Sequence, residues 1–230
     1  MTDTEIKSKV LSFVKEHENA KKILIIAPDF TRFHSNAGLI CTVLYRSYKE
    51  KGAAVTILEA LGTHVPMTED QLNEMYPGID KDVFVAHNWR KDVVTVGKVP
   101  GSFISDLTEG LWDEDIEVQI NRLITDPSFD LIVSVGQVVP HEVIGMANHS
   151  KNIFVGTGGA DMINKSHMVG AVYGMERMMG KDFTPVRKIF DYAAEHFLAS
   201  MPLYYMLTVC TGGNGCMVLM SFVPSLASVR

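Results

Sequence analysis

The segment GQVVPHEVIGMANHSKNIFVGTGGADMINKSH, residues 136–167, sets His141, His149, Lys151, Lys165 and His167 among glycine-rich turns, directly after the apolar run DLIVSVG. A histidine exchanges protons near neutral pH and binds metals through its neutral ring. A buried lysine whose amine is partly deprotonated is a nucleophile or a covalent tether. There is no HExxH and no CxxC, and no second histidine at zinc spacing accompanies His167. A metal at His167 must therefore take most of its ligands from elsewhere, such as a cofactor.

Two earlier clusters carry similar chemistry. Asp29-Phe30-Thr31-Arg32 offers the planar guanidinium fork that grips a carboxylate or phosphate, with Asp29 to orient it. The same residues can equally form a local ion pair or a helix cap. Ser35 and Asn36, at a helix start, add backbone N–H groups suited to an anion. His64 follows Gly62-Thr63, and His141 follows Pro140. Alone, each would be a solvated or structurally bonded loop histidine; as a pair they suggest two acid/base groups, one for each face of a substrate. GTGGAD, residues 156–161, has a dinucleotide-binding flavour, but Asp161 stands where the last glycine of G-x-G-x-x-G belongs. No strand follows to bring a ribose-binding acid near Glu176.

These clusters need elements to position them. Thr2 or Asp3 caps a helix to about His17, with Ile6, Val10, Phe13 and Val14 on one face. KILIIAP reads as a strand covered on both faces. A helix follows from Ser35 or Asn36 through Tyr48, ended by Gly52, and then the strand AVTILEAL. Thr68 with Gln71 makes a capping box for a short helix. DVFVAHN, KDVVTVG, EVQINRLI and DLIVSVG read as strands, and NIFVGTGG as a short strand running into glycine. ADMINKSHMVGAVYGMERMMG and PVRKIFDYAAEHFLASM read as helices. The expected fold is α/β and Rossmann-like: a mostly parallel sheet with flanking helices. In such sheets ligands sit beyond the carboxyl ends of the strands, where all three clusters fall.

Composition narrows the class. The 230 residues are 47% hydrophobic and 21% charged, enough for one sizeable core. A net charge of -6 with no basic stripe argues against a nucleic-acid surface. Cys41, Cys210 and Cys216 do not suggest a disulfide framework. The charged N-terminus lacks a signal-peptide core, and no uncharged apolar run before the tail reaches membrane-spanning length, so a cytoplasmic location is expected. From Met201 to Val229 there is no Asp, Glu, Lys or Arg. Residues 1–200 are expected to form the domain. Residues 201–230 read as a truncated or atypical tail of it: a strand, a turn and a segment that expects something to pack against. The expectation is that a larger protein continues there, or that the last residues are not the natural ones.

APDFTR, GTHVPMTEDQL and VPHEVIGMANHSK with the later His167 together resemble the lactate racemase family, in its N-terminal half, from about Ile23 to Gly180. The resemblance implies a nickel-pincer nucleotide, a pyridinium bisthiocarboxylic acid mononucleotide that binds nickel through sulfur, carbon and sulfur. It implies Lys151 as the covalent bearer and His167 as the protein's ligand to a square-planar nickel. It implies His64 and His141 as the catalytic acid/base pair, and Arg32 on the substrate carboxylate with Asp29 in support. Ser150 and His149, beside the tether, are expected at the cofactor; His149 stands where the family has glycine, either touching the phosphate or exposed.

The implied activity is racemisation or epimerisation of a small 2-hydroxy acid. One histidine takes the hydroxyl proton while hydride moves to the pyridinium ring, and the second histidine serves the return on the other face. Cofactor-synthesis proteins are implied partners, and an oligomer is possible; neither nucleic acid nor membrane is expected. The resemblance implies a second, C-terminal domain that closes over the site, and this chain is expected to lack it. Two other readings stay open: a non-catalytic α/β domain with an exposed apolar face from Leu203 to Val223, and a nicotinamide-dependent oxidoreductase built on GTGGAD.

Overall fold

The computed structural model describes residues 1–147, 149–210 and 216–222. Thr2 caps α1 (Asp3–Glu16) through a capping box with Glu5, and α1 buries Ile6, Val10, Phe13 and Val14 as its spacing requires. The apolar run becomes β1 (Lys22–Pro28), buried along nearly its whole length. A 3₁₀ turn over Phe30–Ser35 leads to α2 (Ala37–Glu50), entered through Asn36 in the left-handed conformation at φ 59°. Next come β2 (Ala54–Ala60) and α3 (Glu69–Met75), whose capping box is Thr68 with Gln71.

The middle of the chain departs from expectation. DVFVAHN supplies only the short edge strand β3 (Phe84–Ala86). β4 (Val93–Val99) and β5 (Ile116–Asn121) pair antiparallel with each other, outside the main sheet. Between them lies α4 (Gly101–Leu107), a two-turn helix whose pattern is too short to read in sequence.

β6 (Leu131–Gln137) returns to the main sheet and leads into a small hairpin, β7 (Pro140–His141) with β8 (Gly145–Met146). NIFVGTGG is not a strand: Asn152–Gly156 form a π-helical turn, closed by Thr157 N–H donating to the Asn152 carbonyl at 3.0 Å. Three buried apolar residues in a row, Ile153 to Val155, satisfy either geometry, so periodicity could not separate them. α5 (Ala160–Tyr173) stops at Gly174, where φ is 105°, so the expected long helix is broken there. α6 (Pro185–Phe197) begins with Pro185 behind its Thr184 cap. β9 (Leu203–Cys210) and β10 (Cys216–Phe222) complete the sheet.

The strand order is β10-β9-β6-β1-β2-β3, parallel throughout except for β10 against β9. One core packs Leu24 and Ile26 of β1 against Ile120, Ile189 and Phe190; the other packs Ile23 and Ile25 against Val10, Ile40 and Leu44. Strand alternation thus supplies both faces, and each fully buried Ile or Leu stabilises by about 1.5–3 kcal/mol. The tail contributes to the same core: Leu203, Tyr205 and Met206 are buried, so β9 presents no exposed apolar face. Val223 lies outside the described residues. Among those described, no helix is long and apolar enough to cross a membrane. The chain leaves β1 toward β2 on one side and later returns as β6 on the other, which opens a crevice at the carboxyl ends of these three strands.

Candidate active site

The loops after β1, β2 and β6 meet in that crevice, around a cavity of about 400 Å³. Asp29, Arg32, His64, His141, Lys151 and His167 all line it, although they come from five separate segments.

Asp29 ends β1 and caps the turn that follows. One carboxylate oxygen accepts from the Thr31 backbone N–H at 3.0 Å; the other is hydrogen-bonded to Nδ1 of His64. An ionised carboxylate only accepts, so Nδ1 of His64 carries a hydrogen, and in the neutral ring the lone pair is on Nε2. The His64 loop is pinned at both ends. Gly62, at φ 56°, donates its N–H to the Gly156 carbonyl at 2.7 Å, and Met67 N–H donates to buried Glu59 at 3.2 Å. Burial, with the nearby Asp29 charge, raises the Glu59 pKa.

His141 is in the complementary state. Its Nδ1 accepts from the Val143 N–H at 3.2 Å, which leaves the ring proton on Nε2. Burial, reinforced by the charge on Lys151, pushes its pKa down to about 4, so the ring is neutral at pH 7. Lys151 is affected similarly: burial first, then the Arg32 charge, brings its amine down to about 8. Roughly a tenth of such an amine is unprotonated at pH 7, against well under a thousandth for an ordinary lysine. On α5, His167 donates Nδ1–H to the Ile163 carbonyl at 2.7 Å, which holds Nε2 as a free electron-pair donor. Its ring lies edge-on to that of His141, with centroids 6.5 Å apart.

Residues 5–180 match the lactate racemase N-terminal domain family. The chain belongs to that family. A Thermotoga maritima protein of known crystal structure superposes with a TM-score of 0.87 at 25% identity, over 96% of this chain and 55% of the other. The lactate racemase apoprotein from Thermoanaerobacterium thermosaccharolyticum superposes with a TM-score of 0.74 at 21% identity, over 96% of this chain and 52% of its own. At that identity the second likeness speaks for the fold. The chain therefore spans about half the length of either protein. No curated protein matches it.

Three residues of this lactate racemase N-terminal domain lie away from the cavity lining. His149 adopts φ 58°, the left-handed conformation that glycine takes freely, and its ring packs against Tyr205 with centroids 4.1 Å apart. Ser150 is fully buried and accepts from Nη1 of Arg187 at 2.9 Å. Lys165 is bound to the domain surface, 3.2 Å from Asp161 and 3.6 Å from Glu114.

The glycines of GTGGAD serve packing. A Cβ on Gly158 would sit 1.8 Å from the Phe154 carbonyl oxygen, and one on Gly159 would sit 2.4 Å from Oε1 of Gln119. Gln119 also accepts from the Asp161 N–H at 3.1 Å, and the Asp161 carboxylate accepts from Glu117 N–H at 2.7 Å. The start of α5 is thus closed against β5 and offers no open N-terminus to a pyrophosphate.

Several supporting residues gave little sequence signal. Asn152 donates to Ser134 of β6 at 2.9 Å, anchoring the π turn next to Lys151. His87 is buried between the Gly158 carbonyl and the Asn121 amide, at 2.9 Å from each. Arg187 lies far along the chain from the segments it touches. Only a three-dimensional arrangement brings such groups together.

Proposed function

We propose that this chain is the cofactor-bearing part of a racemase or epimerase of small 2-hydroxy acids. The observation that carries the reading is the convergence of His64, His141, Lys151 and His167 on one cavity, with the two histidines held in opposite neutral tautomers.

The residues fit the family's nickel-pincer nucleotide. Among the described residues no group of three or more His, Cys, Asp or Glu could hold a metal alone. His167 offers a single imidazole lone pair, which suits a metal whose other ligands arrive with an organic group. Lys151, with its depressed pKa, is the amine that can form the covalent link. Bound there, the nucleotide supplies reversible acceptance of hydride, which no side chain of this cavity can perform.

The chain's own residues do the rest. Arg32 binds the substrate carboxylate through its fork and fixes which atoms face the histidines. His64, with Nε2 unprotonated, takes the hydroxyl proton of one enantiomer. His141 is neutral in the free site, so its Nε2–H can orient the substrate oxygen. It returns a proton toward the other enantiomer only after taking one up from solvent as the imidazolium, and the roles exchange for the reverse reaction. Asp29 stabilises the His64 imidazolium as it forms. Cofactor-synthesis proteins are the partners this reading requires, and the cytoplasm is the compartment it favours.

The test is a chiral assay. The chain is co-expressed with the cofactor-synthesis proteins and offered single-enantiomer lactate and other short 2-hydroxy acids. Conversion toward a racemate, abolished by His64→Ala, supports the reading. A preparation in which the cofactor never attaches to the chain contradicts it.

A further inference from the structure

Arg187 sits in the first turn of α6 and is part-buried. Its Nη2 donates to the carbonyl of Met146 in the β7–β8 hairpin, and its Nη1 donates to Ser150 Oγ at 2.9 Å. The first acceptor belongs to the hairpin that carries His141; the second is the neighbour of Lys151. One planar guanidinium therefore spans the two segments on which the proposed base and tether stand.

The same helix start is stitched to the hairpin at further points. Thr184 Oγ1 donates to the Ile144 carbonyl at 2.8 Å while accepting from the Arg187 N–H at 3.0 Å. Gly180 N–H donates to the Gly145 carbonyl at 2.9 Å. Burial disfavours the Arg187 charge, and Asp191, one helical turn on, favours it. A part-buried guanidinium carries a desolvation cost, which its geometry offsets only if both arms of the fork are used.

We infer that Arg187 is a positioning residue that locks the His141 hairpin to the Lys151 turn and so fixes how the Lys151 amine is presented to the cavity. That Lys151 is the tether rests on the proposed function; the clamp itself does not. The charged groups acting on Lys151 are Arg32, Glu142, Arg187 and Asp29, so Arg187 acts on it through space as well as through Ser150.

The experiment uses the purified, unloaded chain and three variants: Arg187→Gln, Arg187→Lys and Ser150→Ala. Two readouts are taken: amide hydrogen exchange over residues 141–152, and acetic anhydride labelling of Lys151 across pH, read by peptide mass. Arg187→Gln is expected to speed exchange in this segment roughly tenfold, the loss typical of a hydrogen bond to a charged group. It should also lower Lys151 labelling at pH 7.5 by about threefold, because a neighbouring positive charge no longer disfavours protonation. Arg187→Lys should restore the labelling profile but not the exchange protection, since one ammonium cannot serve both acceptors in the fork geometry. Ser150→Ala keeps the charge and removes one acceptor, so exchange should rise with the profile unchanged; it also carries the test if Arg187→Gln does not fold. Wild-type exchange and labelling in the folded variants would overturn the inference. Because no cofactor is involved, absence of an adduct on Lys151 would overturn the functional reading and leave the clamp standing.

Discussion

Nδ1 of His64 is hydrogen-bonded to the carboxylate of Asp29 across the ends of two neighbouring parallel strands, β1 and β2. This bond joins two of the three clusters that the sequence separates by more than a full crossover. It also assigns the ring: with the proton held on Nδ1, Nε2 is the basic atom. Asp29→Asn can turn its amide to donate and so favour the wrong tautomer. In the cofactor-loaded protein kcat should fall by about 10²- to 10⁴-fold, the range of a general base removed or mis-set, with a smaller change in KM. Steady-state racemisation kinetics check this; a kcat within a few fold of wild type would mean the bond is incidental.

His149 gives a prediction about acid stability. Burial, helped by the Arg187 charge, lowers its pKa from 6.5 to about 4. Between these values the unfolded chain binds a proton that the folded one does not. Unfolding is therefore favoured as pH falls from about 6.5 to 4, and stability recovers as pH rises through the same window. His149→Asn tolerates the left-handed backbone and cannot titrate. Thermal unfolding of the variant should depend less steeply on pH in that window, with a loss at neutral pH of about 1 kcal/mol from the missing ring packing on Tyr205. An unchanged pH slope would exclude His149 as a source of acid sensitivity.

Gly145 opens the return strand of the His141 hairpin and pairs directly with His141. It holds φ 95°, and a Cβ there would lie 2.0 Å from the backbone oxygen of Lys181. Gly145→Ala combines backbone strain with a clash that no side chain can relieve, so a loss of about 3 kcal/mol is expected in denaturant unfolding. The same change at Gly110, where nothing lies within 4 Å, serves as the control for strain without a clash.

His167 should govern metal retention without governing the fold. Its Nδ1 is committed to Ile163, so His167→Gln removes the free imidazole nitrogen from a part-buried position. In protein loaded with the cofactor, nickel retained after dialysis, measured by atomic spectroscopy, should fall well below the wild-type ratio. Nickel retained at the wild-type ratio would assign the metal to other groups.

The sequence revealed most where local physics is strong. The capping boxes at Thr2 and Thr68 and the doubly buried β1 and β6 follow from patterns within a few residues. The site clusters were legible because each one ends a recognisable strand, and parallel sheets collect ligand-binding loops at that end. What escaped was decided by long-range packing. The π turn at Asn152–Gly156 depends on Ser134, Gly62 and His87, which act from other parts of the chain. His149 and Ser150 were expected at a cofactor because they adjoin Lys151. Yet successive residues of a turn point in different directions, and these two turn toward Tyr205 and Arg187. Arg187 itself carried no signal, because a lone arginine in an amphipathic helix looks the same whether it faces solvent or a buried carbonyl.

The central claim is that Lys151 is the covalent seat of the cofactor. Intact mass of the chain, co-expressed with the cofactor-synthesis proteins, tests it most directly, followed by peptide mapping. The account predicts a mass increment of one pyridinium mononucleotide on the peptide containing Lys151, absent from Lys151→Arg. An unmodified Lys151, in cells where the same pathway loads a full-length lactate racemase, would contradict it.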